Sequence, residues 1–118
     1  KRATQFNQCD VNLPPLDVFT SPDPIVSDQD NTFSISGTAT SDITEATVGI
    51  YVYGNNYFRD YKDDFCKLYE SCPVKNNTKF DFQFTVKPDN LPADYIILVG
   101  LFDTEVITYC ADTMPSSK

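Results

Sequence analysis

Residues 65–87 read FCKLYESCPVKNNTKFDFQFTVK, and this stretch decides the fold because a tight cysteine loop runs directly into the most regular strand pattern of the chain. From residue 80 to residue 87 apolar and polar residues alternate without a break, which is the period-two signature of a strand with one buried face and one solvated face. Phe80, Phe82 and Phe84 therefore point to the same side. Because aromatic side chains usually fill a core, this face is either the inside of a packed sandwich or the lining of a cavity.

The same alternation recurs along the rest of the chain. A turn signal at residues 54–56 predicts that residues 46–53 and 57–65 form a hairpin, and the second arm carries the many charges that are typical of an edge strand. Strands recur at intervals of roughly 8 to 12 residues, and no stretch of ten or more residues shows a helical period, so the sequence predicts an all-β sandwich. The predicted strands comprise residues 4–9, 33–40, 46–53, 57–65, 80–87, 95–102 and 105–112.

The length of the chain suits a single core. At 118 residues it is too short for two cores, so we expect residues 1–118 to form one domain, with residues 114–118 as a tail. No apolar run approaches the roughly 20 residues needed to cross a bilayer. The chain begins at Lys1 without an apolar signal-like segment, which we interpret as a mature product after signal removal.

The charge balance and one missing residue type argue against several classes of function. Nine Lys and Arg against seventeen Asp and Glu give a net charge of −8 at pH 7, which opposes nucleic-acid binding because phosphates require clustered cations. The chain has no histidine, so the commonest general base and the commonest metal ligand are missing. Asp63 and Asp64 are adjacent on a predicted strand and point to opposite faces, so they cannot form a facing acid–base pair. We therefore expect no enzyme activity.

Residues 27–31, with the sequence SDQDN, are predicted as a polar turn. The spacing of Asp28 and Asp30 is similar to the start of a calcium loop, but the glycine and the distal glutamate of such a loop are missing. We interpret the segment as a solvated turn and expect no metal and no cofactor.

Four cysteines, Cys9, Cys66, Cys72 and Cys110, allow three disulfide connectivities. No C-x-x-C spacing is present, so disulfides are a better interpretation than a zinc or redox site. Pairing Cys66 with Cys72 would close a short loop, and pairing Cys9 with Cys110 would tie the two ends of the domain together. Disulfides indicate an oxidising, secretory or extracellular setting, and an N-glycosylation sequon at Asn76 agrees with that setting.

A series of motifs recurs in one order along the chain. It comprises Cys9, SPDP at residues 21–24, FSISGT at 33–38, DITEA at 42–46, FC to SCPV at 65–74, NLPADY at 90–95, FD at 102–103 and Cys110. This series resembles the ML lipid-recognition domain family, which includes the Niemann–Pick type C sterol carriers and the fungal phosphatidylglycerol/phosphatidylinositol transfer proteins. The resemblance implies an immunoglobulin-like β-sandwich of two antiparallel sheets with an apolar cavity between them. It also implies the pairs Cys66–Cys72 and Cys9–Cys110.

The implied function is that of a secreted lipid-binding and transfer protein, which holds a sterol, phospholipid or fatty acid between its sheets and moves it between membranes. The predicted lining comprises Phe33, Ile35, Val48, Ile50, Val52, Phe80, Phe82, Phe84, Tyr95, Ile97, Val99 and Leu101. The predicted rim comprises Phe65, Leu68, Tyr69, Pro73 and Val74, with the Cys66–Cys72 bridge holding it in shape. Strand 95–102 is apolar on both alternations, so its inward set is either Ile97, Val99 and Leu101 or Ile96, Leu98 and Phe102.

A lipid carrier also needs a site for the head group and a surface that docks on membranes. Lys67, Lys75 and Lys79 are predicted to meet phosphates. The aromatic residues Tyr57, Phe58 and Tyr69 are predicted to insert at a membrane interface. We expect a monomer with a lipid ligand, transient membrane contact and no nucleic-acid partner. The expected location is outside the cell or in the lumen of an acidic secretory-pathway compartment such as the vacuole or lysosome.

A second interpretation retains the β-sandwich but has side chains fill the space between the sheets, which leaves no lipid cavity. In that case the chain is a secreted interaction module with a fully packed core, and it binds a protein or carbohydrate through its loops. A lipid recovered with the protein would favour the carrier, and a dry core would favour the module. An enzyme is the weakest of the three interpretations, because no Ser–His or Cys–His arrangement is available.

Overall fold

The computed structural model describes residues 5–9 and 12–113, and within them it consists of strands joined by turns with one short helix. The elements are β1 (Asn7–Gln8), β2 (Asp17–Ser21), β3 (Asn31–Thr38), β4 (Thr47–Gly54), β5 (Tyr57–Asp64), α1 (Phe65–Tyr69), β6 (Lys79–Val86), β7 (Tyr95–Asp103) and β8 (Val106–Asp112). The predicted all-β class is confirmed. The predicted first strand shortens to Asn7–Gln8, and its residue 4 and the predicted tail, residues 114–118, lie outside the described residues.

The strands form two antiparallel sheets that face each other as a sandwich. One sheet has five strands in the order β1-β8-β7-β4-β5, and the other has three in the order β2-β3-β6. The chain crosses from one sheet to the other after β1, β3, β5 and β6, so both inner faces draw on the whole sequence. This confirms the predicted immunoglobulin-like arrangement and makes the space between the sheets the only large apolar layer that the described strands build.

The predicted hairpin is present and places β5 at a sheet edge. β4 pairs with β5 from Thr47 opposite Asp64 to Gly54 opposite Tyr57, so Asn55 and Asn56 make the turn. Asn56 has a φ of 55°, a left-handed conformation that asparagine tolerates better than most residues. A Cβ on Gly54 would lie 2.7 Å from the carbonyl oxygen of Asp94, so a larger residue there would displace the next connection.

The inward face of β7 is the one that carries Ile97, Val99 and Leu101. These side chains are at most 1% exposed, whereas Ile96, Leu98 and Phe102 lie half-buried on the outer face of the five-stranded sheet. The outer set is apolar because aromatic neighbours cover it: the ring of Tyr51 lies 6.0 Å from that of Phe102. Both faces of β7 are thus apolar for different reasons. The inner face packs in the core, and the outer face packs against aromatic side chains near the surface.

The predicted solvated turn at residues 27–31 ends on a buried side chain. Asn31 is 0% exposed, accepts a hydrogen bond from the backbone N–H of Val26 at 2.8 Å, and donates to the carbonyl oxygens of Val26 and Gln29. A buried amide is stable when its donors and acceptors are satisfied in this way. The turn is therefore fixed from inside by Asn31, although Asp28 and Asp30 are exposed as predicted.

Helix α1 interrupts the predicted arm 57–65 at its last residue. The Asp64 side chain caps the helix by accepting from the Cys66 N–H at 3.2 Å, and Glu70 ends it in the left-handed conformation at φ 70°. With five residues the helix is too short to show a helical period. Its effect is to turn Phe65 into the core, where this side chain is 0% exposed.

Both disulfides implied by the family resemblance are present. Cys66 pairs with Cys72 across α1 at a Cα–Cα distance of 5.5 Å, and Cys9 pairs with Cys110 at 5.7 Å. The first closes a small loop beside the core. The second joins positions 101 residues apart and ties the segment after β1 to β8.

Candidate functional site

The predicted lining residues converge on one interior. They lie on the inner faces of β4 and β7 in the five-stranded sheet and of β3 and β6 in the three-stranded sheet. Tyr95 is half-buried and packs against the edge of this interior. The others all belong to a single buried apolar cluster: Phe33, Ile35, Val48, Ile50, Val52, Phe80, Phe82, Phe84, Ile97, Val99 and Leu101. Contact of these side chains with a lipid stays a prediction.

The lining residues are buried most completely at the centre of the interior and least completely along β6. Phe33, Val48 and Ile50 are 0% exposed, whereas Phe82 and Phe84 retain 6% and 8% exposure. Protein interiors pack as densely as organic crystals, so a lipid can enter this layer only if the sheets move apart. The edge at which they part most easily therefore decides where a ligand would enter.

The residues predicted as a rim divide into two groups. Phe65 and Val74 are not at a rim, because they are 0% and 2% exposed and belong to the core cluster. Phe65 makes edge contacts with Phe80 and Phe82 at 5.5 and 5.3 Å between ring centroids, so it plugs one end of the interior. The other group, at or near the surface, consists of Leu68, Tyr69 and Pro73.

The predicted head-group lysines occupy three different settings. Lys67 extends from α1 with its side chain 70% exposed and its Nζ 3.4 Å from the Asp63 carboxylate. Lys75 is exposed in the loop after Cys72. Lys79 begins β6 on the outer face, because Phe80 next to it points inward. Their head-group role stays a prediction.

Of the aromatic residues predicted to meet a membrane, Phe58 is the most exposed. Its side chain is 56% exposed on the outer face of the five-stranded sheet, 6.1 Å from the ring of Tyr51. Tyr57 points to the opposite face and is half-buried, and Tyr69 stacks on Phe65 at 5.4 Å. Membrane insertion of these residues stays a prediction.

Along one boundary of the sandwich, backbone contacts hold the segment that leads into β2. Beside β8, Cys110 is bonded to Cys9, and its backbone N–H donates to the carbonyl oxygen of Pro14 at 3.3 Å. Pro15 forms a parallel bridge with the same residue. The segment that leads into β2 is thus held against β8 by backbone contacts, while the disulfide joins β8 to the residue after β1 within the five-stranded sheet.

The opposite boundary lies between β5 and β6, the edge strands of the two sheets, and we call it the β5/β6 seam. Phe65 of α1 plugs one end of it. The register of the hairpin places a row of four β5 residues on the same face as the β4 core residues, so this row faces the interior. The row comprises Tyr57, Arg59, Tyr61 and Asp63. Aromatic rings and charges therefore line the seam on the β5 side, opposite the phenylalanines of β6.

The other end of the seam is held by contacts to Asp89, which follows β6. Arg59 Nε lies 2.7 Å from Asp89 Oδ1, and Nη2 lies 3.5 Å from Oδ2. The Tyr57 hydroxyl donates to the Asp89 carbonyl oxygen at 2.6 Å, and the guanidinium lies over the Tyr57 ring, 4.5 Å from its centroid. Hydrogen bonds, one ion pair and ring contacts thus close this side, and each involves a side chain, whereas on the opposite side Pro14 and Pro15 contact Cys110 through the backbone.

The ionisable groups of the seam reflect this arrangement. The hydrogen bond from Arg59 lowers the pKa of Asp89 below its ordinary value of 3.8, and the same bond raises the pKa of Arg59. Because the carboxyl pKa is depressed on folding, its contribution to stability is present above the unfolded pKa and is lost as the pH falls through the folded one. The ion pair therefore persists in mildly acidic solution. Desolvation raises the pKa of Tyr57 and of Tyr61, which keeps both hydroxyls protonated.

The described ranges hold no cluster of three or more potential metal-ligating side chains. Within the same ranges no helix is long and apolar enough to cross a membrane.

The ML domain family model matches residues 3–112 of this chain, which is nearly its full length. The sequence has no match among curated proteins.

Solved structures of similar fold extend this match. A Niemann-Pick type C2 protein from Japanese carpenter ant aligns with a TM-score of 0.71 and 16% identity, covering 92% of this chain and 95% of that one. Chicken MD-1, crystallised in complex with lipid IVa, aligns with a TM-score of 0.63 and 16% identity, covering 91% and 83%. The C-terminal domain of wzt aligns with a TM-score of 0.53 and 13% identity, covering 96% and 70%. At these identities the likeness establishes the shared fold.

Proposed function

This chain belongs to the ML domain family, and from that premise we propose that it is a lipid-binding protein that holds a sterol, phospholipid or fatty acid between its two sheets and moves it between membranes. The observation that carries the proposal is the interior. Both sheets contribute apolar side chains to it, and side-chain contacts close its boundary at the β5/β6 seam. The complex of chicken MD-1 with lipid IVa supports a lipid as the ligand of this fold.

The energetic demand on such a protein is large, because its interior must compete with a bilayer. At about 0.8 kcal/mol per buried methylene, a sixteen-carbon chain needs on the order of 12 kcal/mol of apolar shelter. The interior faces of β3, β4, β6 and β7 supply most of the buried apolar side chains. Separation of the sheets leaves the backbone ladders within each sheet intact, so only side-chain contacts are exchanged for contacts with the lipid.

We propose that the lipid enters through the β5/β6 seam. On the opposite boundary Pro14 and Pro15 contact Cys110 through the backbone, whereas the contacts described above across the seam involve side chains, so we expect the sheets to part at the seam. Phe82 and Phe84, the interior rings that retain some exposure, lie on β6 beside this seam.

A bridged seam is expected to block lipid uptake. In a Tyr57→Cys/Asp89→Cys variant, a short bifunctional thiol reagent would join two positions that already touch through the Tyr57 hydroxyl. Uptake of fluorescent phospholipid, fatty acid and sterol from vesicles should fall at least tenfold after bridging. The controls are the two single-cysteine variants capped with a monofunctional reagent. Unchanged uptake by the bridged protein would place the point where lipid enters elsewhere.

The setting that we propose is secretion or the lumen of an acidic secretory-pathway compartment such as the vacuole or lysosome. The two disulfides require an oxidising environment to form. Asn76 of the sequon is exposed, and its N–H donates to the Asp42 side chain, which leaves the amide side chain at the surface. When the chain is expressed through a eukaryotic secretory pathway, we expect a glycan mass that Asn76→Gln removes. An unglycosylated wild-type product would argue against modification at this position.

A second candidate function follows from the close packing of the core centre, where several side chains have no exposed surface. In this alternative the chain is a monomeric, non-enzymatic interaction module that binds a protein or carbohydrate through its surface. Phe19, which is 71% exposed on the outer face of the three-stranded sheet beside Ser34 and Gln83, would be its most prominent apolar contact. Failure to take up any lipid, together with loss of partner binding in Phe19→Ala, would favour this function over the carrier.

A further inference from the structure

Arg59 is placed where a ligand head group would emerge. It lies opposite Val52 in the hairpin register and so belongs to the inward-facing row of β5, yet its side chain is 39% exposed. An acyl chain that lies among the phenylalanines of β6 would bring its polar end to the solvent side of this row. The guanidinium therefore stands between the apolar interior and water, whereas Lys62 of the same strand points to the outer face.

The guanidinium is held in one orientation by three contacts. Nη1 donates to the Phe58 carbonyl oxygen at 2.9 Å, Cζ lies over the Tyr57 ring at 4.5 Å from its centroid, and Nε donates to Asp89. Fixed planar forks of this kind bind carboxylate and phosphate oxygens in pairs. The second nitrogen that faces Asp89, Nη2, makes only a long hydrogen bond, because it lies 3.5 Å from Asp89 Oδ2.

Asp89 has the properties of a replaceable partner. Its side chain is 51% exposed, and it lies in the connection between β6 and β7, outside regular structure. Tyr57 holds the backbone of this residue through its carbonyl oxygen, so the carboxylate can swing into water while the connection stays in place. Exposed ion pairs contribute little to stability, so the exchange of one anion for another at Arg59 costs little.

We propose that Arg59 is the residue that selects lipids with anionic oxygen head groups, and that the Asp89 carboxylate occupies its fork until the head group displaces it. This inference rests on the proposed function and names the chemistry of its ligand: a phosphate or carboxylate attached to an apolar chain. Displacement of Asp89 also removes the ion pair at this end of the seam. Recognition of the head group is thereby coupled to opening of the seam.

The test compares uptake of matched charged and neutral lipids from phosphatidylcholine vesicles that carry one labelled probe. Phosphatidylglycerol is paired with diacylglycerol, and palmitate is paired with hexadecanol, so each pair differs in its head group alone. For Arg59→Gln we expect the ratio of charged to neutral uptake to fall roughly tenfold or more in at least one pair, as for loss of a charge-assisted hydrogen bond. Asp89→Asn should raise uptake of the same charged probe. Lys87→Gln, which removes one exposed positive charge near the same end of β6, is the matched control.

The pattern across the pairs identifies the source of the anion. A fall confined to phosphatidylglycerol assigns a phosphate, one confined to palmitate assigns a carboxylate, and both together assign any anionic oxygen group. Unchanged ratios in Arg59→Gln would overturn the inference while leaving the carrier function intact. Equal changes in the uptake of all four probes by Arg59→Gln and Asp89→Asn would also overturn it. The Arg59–Asp89 ion pair would then only keep the seam closed and would not distinguish between head groups. Absence of uptake of every probe by the wild-type protein would reject the carrier function and this inference with it.

Discussion

Replacement of Phe33 by alanine is expected to lower the free energy of unfolding by about 3–5 kcal/mol. The Phe33 ring is 0% exposed in the middle strand of the three-stranded sheet, directly opposite Phe84 of β6, so its removal leaves a cavity that the two sheets cannot fill without shifting. Chemical denaturation at fixed pH measures the loss. The matched control is Phe19→Ala on the neighbouring strand β2, where the side chain is 71% exposed and the expected loss is within about 0.5 kcal/mol. Similar losses for both variants would contradict the account of a shared interior.

Removal of the Cys9–Cys110 bond by paired alanine substitutions is expected to cost more stability than removal of Cys66–Cys72. The first bond closes a loop with a sequence separation of 101 and the second a loop with a separation of 6. The chain-entropy estimate gives about 4.7 and about 2.4 kcal/mol respectively. Denaturation of the two double variants under non-oxidising conditions, compared with the fully bridged protein, gives the difference directly. A larger loss from the small loop would mean that the cost comes from packing around α1 and not from closure of the chain.

The inward side chains of a strand were predictable from the sequence where only one face is apolar, whereas for the predicted strand 95–102, with two apolar faces, the sequence left two sets open. In β6 the phenylalanines alternate with Asp81, Gln83 and Thr85, so only one assignment buries the apolar set. In β7 both alternations are apolar, and the choice between them depends on the neighbours. Tyr51 of β4 lies beside Phe102 on the outer face, a contact that is visible only once the two strands are paired.

The positions of the seam residues differ in how well they can be predicted from the local sequence. The inward position of Arg59 follows from the two-residue turn at Asn55 and Asn56, because the register then sets Arg59 opposite Val52. The inward orientation of Arg59 was nevertheless not predicted, because a charged residue on an edge strand is usually assigned to the solvent-facing side. Asp89 is 30 residues away in a proline-rich connection, and its contact with Arg59 depends on how the two sheets stack. No local pattern encodes that distance.

The position of Phe65 illustrates the same limit at shorter range. Asp64 directly before it is a favourable N-cap residue, so the start of a helix there was readable from the sequence. The burial of Phe65 was not, because it results from packing against Phe80 and Phe82 on the other sheet. Residues assigned to a rim by their place near a cysteine loop can thus belong to the core when a short helix turns them inward.

If the two sheets enclose a lipid, native mass spectrometry of the gently purified protein will detect it. We expect a stoichiometric adduct on the disulfide-bonded monomer, which organic solvent releases and lipid analysis identifies. If the protein is isolated empty, incubation with vesicles of phosphatidylglycerol, sterol and palmitate should restore the adduct. A bare mass before and after that incubation would contradict the account and leave a packed interaction module as the function of this chain.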